Sequence, residues 1–479
     1  MYNPAMLQPV SRVIDLLDPG LNRISNMTVD EARRRVLGAD PAAVRAIDGS
    51  FALVTSEGQI VRLARSMDRP MRYFLAKRAE GPALYVSDRI GTLLEALAGD
   101  GLANQFHPSY TRMVPAHYVV DLALVGCPDP DPIYTRFFDP PRGTLPADLD
   151  EIGRRYIGAL ASEIAKWLTQ IDPSLVARDL SPALPKSQMT YEPIGVEMGS
   201  YVRSGFSRTS EVGVAFSGGI DSGSVFLVTY HTMLRLGMSP SRLKAFVLNL
   251  GDGPDVEQAR AFLSAMGLSL FLEEIDAKPE DVDACEAVRI LEDYKVLDVE
   301  CAAMGLRLCR GIRERYPEWR HLVDGDGADE NLKDYPIEEN PELSIRSVVD
   351  NLMLYQEGWG VGRIKHSLTY SGGLSRSYVR TYAPARRYGF AGFSPYTCAN
   401  VIEVAEGIPF ASLTRYDVPT LYSLKGDIVS RGVKAITGFE MPVFPKRRFQ
   451  HGAMPADAMR ARIGRDEASL RRAFQEMYS

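Results

Sequence analysis

The stretch Val212-Gly-Val-Ala-Phe-Ser-Gly-Gly-Ile-Asp-Ser-Gly-Ser224 constrains this chain more than any other. Val212, Val214 and Phe216 alternate as the inner face of a short buried strand does, Gly218 and Gly219 end the strand, and Ser222 to Tyr230 reads as the start of a helix. Strand, tight turn and helix in that order predict a layered α/β fold. A Ser-Gly-Gly turn lets backbone N–H groups approach an anion with no Cβ in the way, and the helix N-terminus behind it adds partial positive charge. Asp221 does not fit a bare anion cradle, because a carboxylate beside phosphates is repulsive unless a divalent cation lies between them. The stretch therefore predicts a nucleotide phosphate held with Mg²⁺. No Gly-Lys-Ser/Thr follows, so it is not a Walker A loop.

Ser217-Gly-Gly-Ile-Asp-Ser222 resembles the pyrophosphate loop of the N-type ATP pyrophosphatases, and Ala215-Phe-Ser-Gly-Gly-Ile-Asp-Ser222 is most similar to the asparagine synthetase branch. The resemblance implies that Ser217, Gly218, Gly219, Ile220, Asp221 and Ser222 hold the phosphates of ATP. It also implies cleavage between the α- and β-phosphates, giving an adenylate and pyrophosphate.

The 479 residues make two domains the natural expectation, and 45% hydrophobic with 24% charged residues is a soluble globular composition. A net charge of −6 leaves no general basic footprint for nucleic acid. No apolar run reaches the length of a membrane span and Met1 to Gly20 lacks a signal-peptide pattern, so a cytoplasmic protein with no membrane partner is expected. Its five cysteines lack CxxC spacing, which implies buried thiols rather than a zinc site or a disulfide framework.

The first 125 residues contain short alternating runs at Phe51–Val54, Ile60–Ala64, Tyr73–Ala76 and Ala83–Val86, with helical patterns at Val29–Leu37 and Gly91–Leu97. These predict antiparallel sheets packed with helices. Ala46-Ile-Asp-Gly-Ser-Phe-Ala-Leu53, Leu63 to Phe74 and Leu84-Tyr-Val-Ser-Asp88 resemble the class II glutaminase domain of the asparagine synthetases, an Ntn-hydrolase-like α+β fold. That family's nucleophile is an N-terminal cysteine. Here Met1-Tyr-Asn-Pro4 opens the chain, no cysteine precedes Cys127 and no Asn-Gly-Glu segment is present, so the expectation is a degenerate domain without glutaminase activity. The dense prolines of 126–146 read as a stiff linker, which leaves 147–479 as the second domain.

Leu149–Leu168 has helical apolar spacing and opens that domain, whereas 171–210 has no clear period. Leu243–Leu250 and Leu270–Ile275 then read as strands around a helix at Pro254–Gly267, so a parallel sheet with ligand at the C-terminal strand ends is expected. Phe216, Leu248 and Asn249 fall where adenine would lie, with core packing as the other reading.

His321-Leu-Val-Asp-Gly-Asp-Gly-Ala-Asp-Glu330 is a strand running into glycines spaced by carboxylates. It resembles the family's acidic loop. The resemblance assigns Gly325 and Gly327 to the pyrophosphate, Asp329 with Asp221 to Mg²⁺, and Asp326 or Glu330 to orienting an amine or taking its proton. Asp326 replaces a glutamate of the asparagine synthetases and a tyrosine of the β-lactam synthetases, and Asn331-Leu-Lys-Asp-Tyr335 replaces a glycine pair. These changes reshape the acceptor side of the pocket, so the resemblance does not carry aspartate over as the substrate. Near the C-terminus, Met441-Pro-Val-Phe-Pro-Lys-Arg-Arg-Phe-Gln-His-Gly-Ala453 resembles the loop whose lysine, here Lys446, stabilises the leaving pyrophosphate, and Arg447, Arg448 and His451 could add contacts. In Gly392 to Thr397, Pro395 and Tyr396 read as structural.

The reading is a two-domain α/β protein that uses ATP and Mg²⁺ to activate a small carboxylic acid and joins it to ammonia or an amine, with a homodimer as one open arrangement. Another adenylating enzyme with the same loop, or a noncatalytic ATP-binding scaffold, are its rivals.

Overall fold

In the computed structural model the described residues are 11–126, 130–172, 211–251, 253–334, 337–339, 344–350, 381–444, 452–454, 458, 463 and 467–478. Period-two patterning in the front half sorts side chains onto two sheet faces. One sheet orders Arg12–Asp15, Ala83–Ser87, Arg72–Ala76 and Arg112–Met113, and the other Ile133–Arg136, Tyr118–Ala123, Ile60–Arg65 and Ala52–Glu57. Leu84 and Val86 of the first and Val61, Leu63 and Val120 of the second share the core between them. The alternate residues face outward: Tyr85 packs on Leu93 and Leu97 of the helix Ile90–Gly99, and Leu53 and Ala64 on Ala32 and Val36 of the helix Val29–Gly38. Helix, sheet, sheet and helix stack as four layers, an α+β sandwich.

The proline-rich connection differs from its sequence expectation, because Ile133–Arg136 pairs antiparallel with Tyr118–Asp121 as an edge strand. Proline excludes a chain from a sheet interior but not from its margin, and those four residues carry none.

The C-terminal half is built on a five-stranded, all-parallel sheet in the order Leu272–Asp276, Leu243–Asn249, Val212–Ala215, His321–Val323, Ala391–Phe393. Its central strand Val212–Ala215 carries no polar side chain because both faces of the sheet are covered there. Helices Leu149–Ile171, Ile220–Arg235 and Val418–Thr437 pack one side, and Ala284–Leu291, Val296–Arg315 and Ala383–Arg387 the other. The strand expected from Leu270 begins at Leu272, after a short 3₁₀ turn that leaves Leu270 exposed. Cys301 and Cys309 are buried as expected, whereas Cys285 is exposed.

The two halves meet through Glu292. Its carboxylate accepts from Ile90 N at 2.7 Å and Gly91 N at 2.9 Å and lies 3.3 Å from both Arg72 and Arg89. Among the described residues no helix is long and apolar enough to cross a membrane.

Candidate active site

The helix after the first strand begins at Ile220, two residues earlier than its spacing predicts, which puts Asp221 in its first turn. Gly218 has φ +72°, and a Cβ there would lie 2.8 Å from Ala259 N, so only glycine lets the turn pack against the helix Asp255–Ala265. Gln258 Nε2 donates to Ser217 O at 3.2 Å, Gly219 N donates to Ser217 Oγ at 3.3 Å and Ser217 N to Ser222 Oγ at 3.1 Å. The turn is thereby fixed by its own hydroxyls and by the neighbouring helix.

The acidic loop follows the adjacent strand His321–Val323, so the two motifs emerge side by side at the same end of the sheet. They touch at Gly325, where a Cβ would stand 2.7 Å from the Asp221 carbonyl carbon and 2.8 Å from Ser222 N. Asp221 and Asp329 converge on one ammonium, that of Lys425 in the helix Val418–Thr437. Its Nζ lies 2.8 Å from Asp221 Oδ2, also bonds Asp329 Oδ1, and is 3.3 Å from Asp334 Oδ2. Burial would push the Lys425 ammonium down, yet the charges of Asp221, Asp329 and Asp334 outweigh it and hold its pKa well above the usual lysine value. A cluster of hard oxygen donors that already gathers one cation fits Mg²⁺ by chemistry. Asp221 and Asp329 are the residues that would hold it; among the described residues no group of three or more His, Cys, Asp or Glu side chains is set to hold a metal.

Asp324, at the end of the same strand, is 3% exposed. Its Oδ1 accepts from Asp326 N at 3.0 Å and its Oδ2 from Ser394 Oγ at 3.0 Å, while Thr381 Oγ1 donates to Asp326 Oδ2 at 3.1 Å. Burial first, and the Asp326 charge second, raise the Asp324 carboxyl well above the usual carboxylate range. Of the two candidates for meeting an amine, Asp326 is half-buried but Glu330 is 2% exposed, which favours Asp326.

Two other expectations take definite form. The side chains of Phe216 and Leu248, 4% and 2% exposed, belong to the core, Phe216 ringed by Phe226 and Phe262 at 5.6 Å, so neither offers an adenine ring an open apolar face. Asn249 is tied to Asp276 Oδ1 at 2.7 Å and accepts from Gly251 N. Lys333, standing where the glycine pair was missed, has φ +56°, a left-handed conformation adopted here without glycine. Its Nζ donates to Val349 O at 3.1 Å, and burial lowers its pKa to about 8.

Lys446, Arg447, Arg448 and His451 lie outside the described residues, as does the segment 173–210. The described flanks of 445–451 both reach the loop's surroundings. Val443 Cγ1 lies 3.1 Å from where a Cβ on Gly426 would stand, beside Lys425, and Gly452 O lies 2.3 Å from the corresponding point on Gly253. Pro395 and Tyr396 are buried, and the Tyr396 hydroxyl hydrogen-bonds Ser224 Oγ at 2.7 Å under the phosphate turn.

Sequence reasoning passed over Lys425, Asp324, Asp334 and Thr381. Lys425 left a signal, because it falls on the apolar stripe Leu421, Leu424, Ile428 and Val429 of its helix. A charged residue at a core position of an amphipathic helix needs a buried partner.

No curated protein matches the chain. Among solved structures it is similar to an NAD+ synthetase from Burkholderia pseudomallei at 14% identity, covering 60% of this chain and 90% of that one, with a TM-score of 0.23, too loose a likeness to carry any residue across. The family model described as Asparagine synthase matches residues 201–393, the span that holds both the phosphate turn and the acidic loop. Over that span the chain is similar to the asparagine synthase family.

Proposed function

We propose that the protein is an ATP-dependent, amide-forming ligase that activates a carboxylic acid as an acyl-adenylate and passes the acyl group to ammonia or an amine. The observation that carries this reading is the convergence of Asp221 and Asp329, from two separate motifs, on the ammonium of Lys425. A protein that merely held nucleotide as a scaffold has no use for a buried cation focused on two carboxylates beside a phosphate turn.

In this reading the backbone of Ser217 to Ser222 binds the phosphates, with Gly325 and Gly327 closing the facing wall. Asp221 and Asp329 would hold Mg²⁺, which screens phosphate charge when bound. The substrate carboxylate attacks the α-phosphorus and pyrophosphate leaves, with Lys425 close to the turn and Lys446 on the C-terminal loop stabilising the departing charge. An amine then attacks the acyl carbon, the C–N bond forms, AMP departs with the C–O electron pair, and Asp326 accepts the amine proton. The front half, with no cysteine before Cys127, serves as a packed wall rather than as a glutaminase, so the nitrogen comes from free ammonia, a small amine or the substrate itself.

The test is a panel of carboxylic acids labelled with ¹⁸O, incubated with ATP, Mg²⁺ and ammonium or small amines, with and without glutamine. The reading predicts one ¹⁸O in AMP for an accepted acid and no benefit from glutamine. Unlabelled AMP alongside amide product would exclude the acyl-adenylate, and glutamine-dependent turnover would overturn the inert front half.

A further inference from the structure

Between the front sheets and the C-terminal half lies a cavity of about 80 Å³, lined by Arg23, Trp167, Tyr382 and Phe393 among others. That is room for several waters or one small molecule. Three hydrogen-bond donors at or behind its wall have no sufficient acceptor among the described residues. The Trp167 indole is 3% exposed, stacks on Phe393 at 4.9 Å and 15°, and its N–H finds no acceptor. Arg69 is 1% exposed and gives one N–H to the amide oxygen of Asn22 at 3.3 Å, while its other terminal nitrogen has none. Asn22 in turn sits between the lining residues Leu21 and Arg23. The Arg23 side chain makes no hydrogen bond or ion pair with a described residue, and its charge is felt at His321, which edges the Trp167 ring at 6.0 Å, and at Tyr382.

The acceptors of the same wall are already engaged. Asp48 and Glu163 both take the Lys166 ammonium, at 2.8 and 2.9 Å, and both accept from Asn400. Asp68 accepts from the hydroxyls of Ser50 at 2.5 Å and Ser66 at 2.6 Å. What remains is two lining donors, the Trp167 indole and the Arg23 guanidinium, around this space. The buried Trp167 N–H is left without a partner only at high cost, and with the half-buried Arg23 guanidinium in the same lining the fitting component is an acceptor with negative charge.

We propose that this cavity binds a small oxyanion whose oxygens accept from Arg23 and the Trp167 indole. The stacked Trp167 and Phe393 and the Tyr382 ring beside them can cover a short carbon skeleton, which favours a carboxylate over bare phosphate. The cavity also reaches Ser394 and Thr397. Ser394 donates to Asp324, and Thr397 packs where a Cβ on Gly327 would fall, so an occupant would sit one residue away from the acidic loop.

The test is calorimetric titration of the full chain, without ATP, with acetate, L-glutamate and inorganic phosphate in a chloride buffer. Saturable binding of a carboxylate is expected, weakened tenfold or more by Arg23→Gln and by Trp167→Phe, which keeps the ring stack and removes only the N–H. Tighter binding of phosphate than of either carboxylate would assign the oxyanion to phosphate. Absence of saturable binding for all three, or binding that neither variant weakens, would overturn the site. None of these outcomes depends on the ligase reading, because neither ATP nor turnover enters the measurement.

Discussion

The Nζ of Lys425 lies 2.8 Å from Oδ2 of Asp221, and the same ammonium bonds Asp329. Two carboxylates separated by more than a hundred residues thus share one buried cation. A lysine 3% exposed among three acids keeps its charge because theirs offsets the cost of its burial, and it relieves part of their mutual repulsion in return.

Lys425→Met should therefore leave Asp221, Asp329 and Asp334 facing one another. We expect a loss of about 3–5 kcal/mol, partly recovered by millimolar MgCl₂, since a divalent ion that binds only the folded site raises stability by mass action. Urea denaturation with and without MgCl₂ checks this. An unchanged midpoint, or no response to Mg²⁺, would contradict the shared-cation reading.

Gly325→Ala should push the acidic loop off the phosphate turn, because the new methyl would overlap Asp221 and Ser222 N. Overpacking of this kind costs about 1–3 kcal/mol, and ATP binding, followed by equilibrium dialysis, should weaken at least tenfold if the cost falls on the bound geometry. Gly38→Ala is the control: it has nothing within 4 Å of the added atom and should be neutral.

Asp293, fully buried, has a pKa raised from 3.8 to about 7 by burial and, second, by the Asp298 charge. The folded chain then keeps a proton that the unfolded chain releases above 3.8, so this group's contribution to stability falls as pH rises from about 4 to about 7. Asp293→Asn retains an acceptor for Tyr294 N and Lys295 N and cannot ionise. Relative to the parent it should gain about 4 kcal/mol at pH 8 over its value at pH 4, read from melting curves across that range. A difference independent of pH would refute it.

Glu292→Ala should strand Arg72, 1% exposed, without its counter-charge at the contact between the halves. Removing one member of such a pair costs about 3–5 kcal/mol. The loss should appear as protease cleavage near Arg89 and Arg289 under native conditions, at sites closed in the parent protein.

Much of this arrangement is legible in the chain because local pattern and tertiary role agree. Val212 and Val214 alternate because they are buried in a sheet, Gly218 marks a φ that only glycine holds without strain, and the carboxylates after Val323 stand where a parallel strand ends. What is not legible depends on distant partners. Nothing local distinguishes Lys425 from an ordinary helix lysine except its place on an apolar stripe, and its meaning requires Asp221, 204 residues away. Asp324 reads like the other acids of its loop, and only Ser394 and the burial around it set it apart. Phe216 and Leu248 stand at strand ends, where ligand contact and core packing have the same apolar signature. Lys333 misleads in the opposite sense, because a left-handed turn normally announced by glycine is here held by a side chain that caps a helix end.

The most direct measurement of the central claim is ³¹P NMR of the products formed from Mg-ATP in the presence of an accepted acid and amine. A phosphate turn joined to the Asp221, Asp329 and Lys425 cluster predicts AMP and pyrophosphate in equal amounts, both abolished in Asp329→Asn. ADP and orthophosphate as the products would contradict the account.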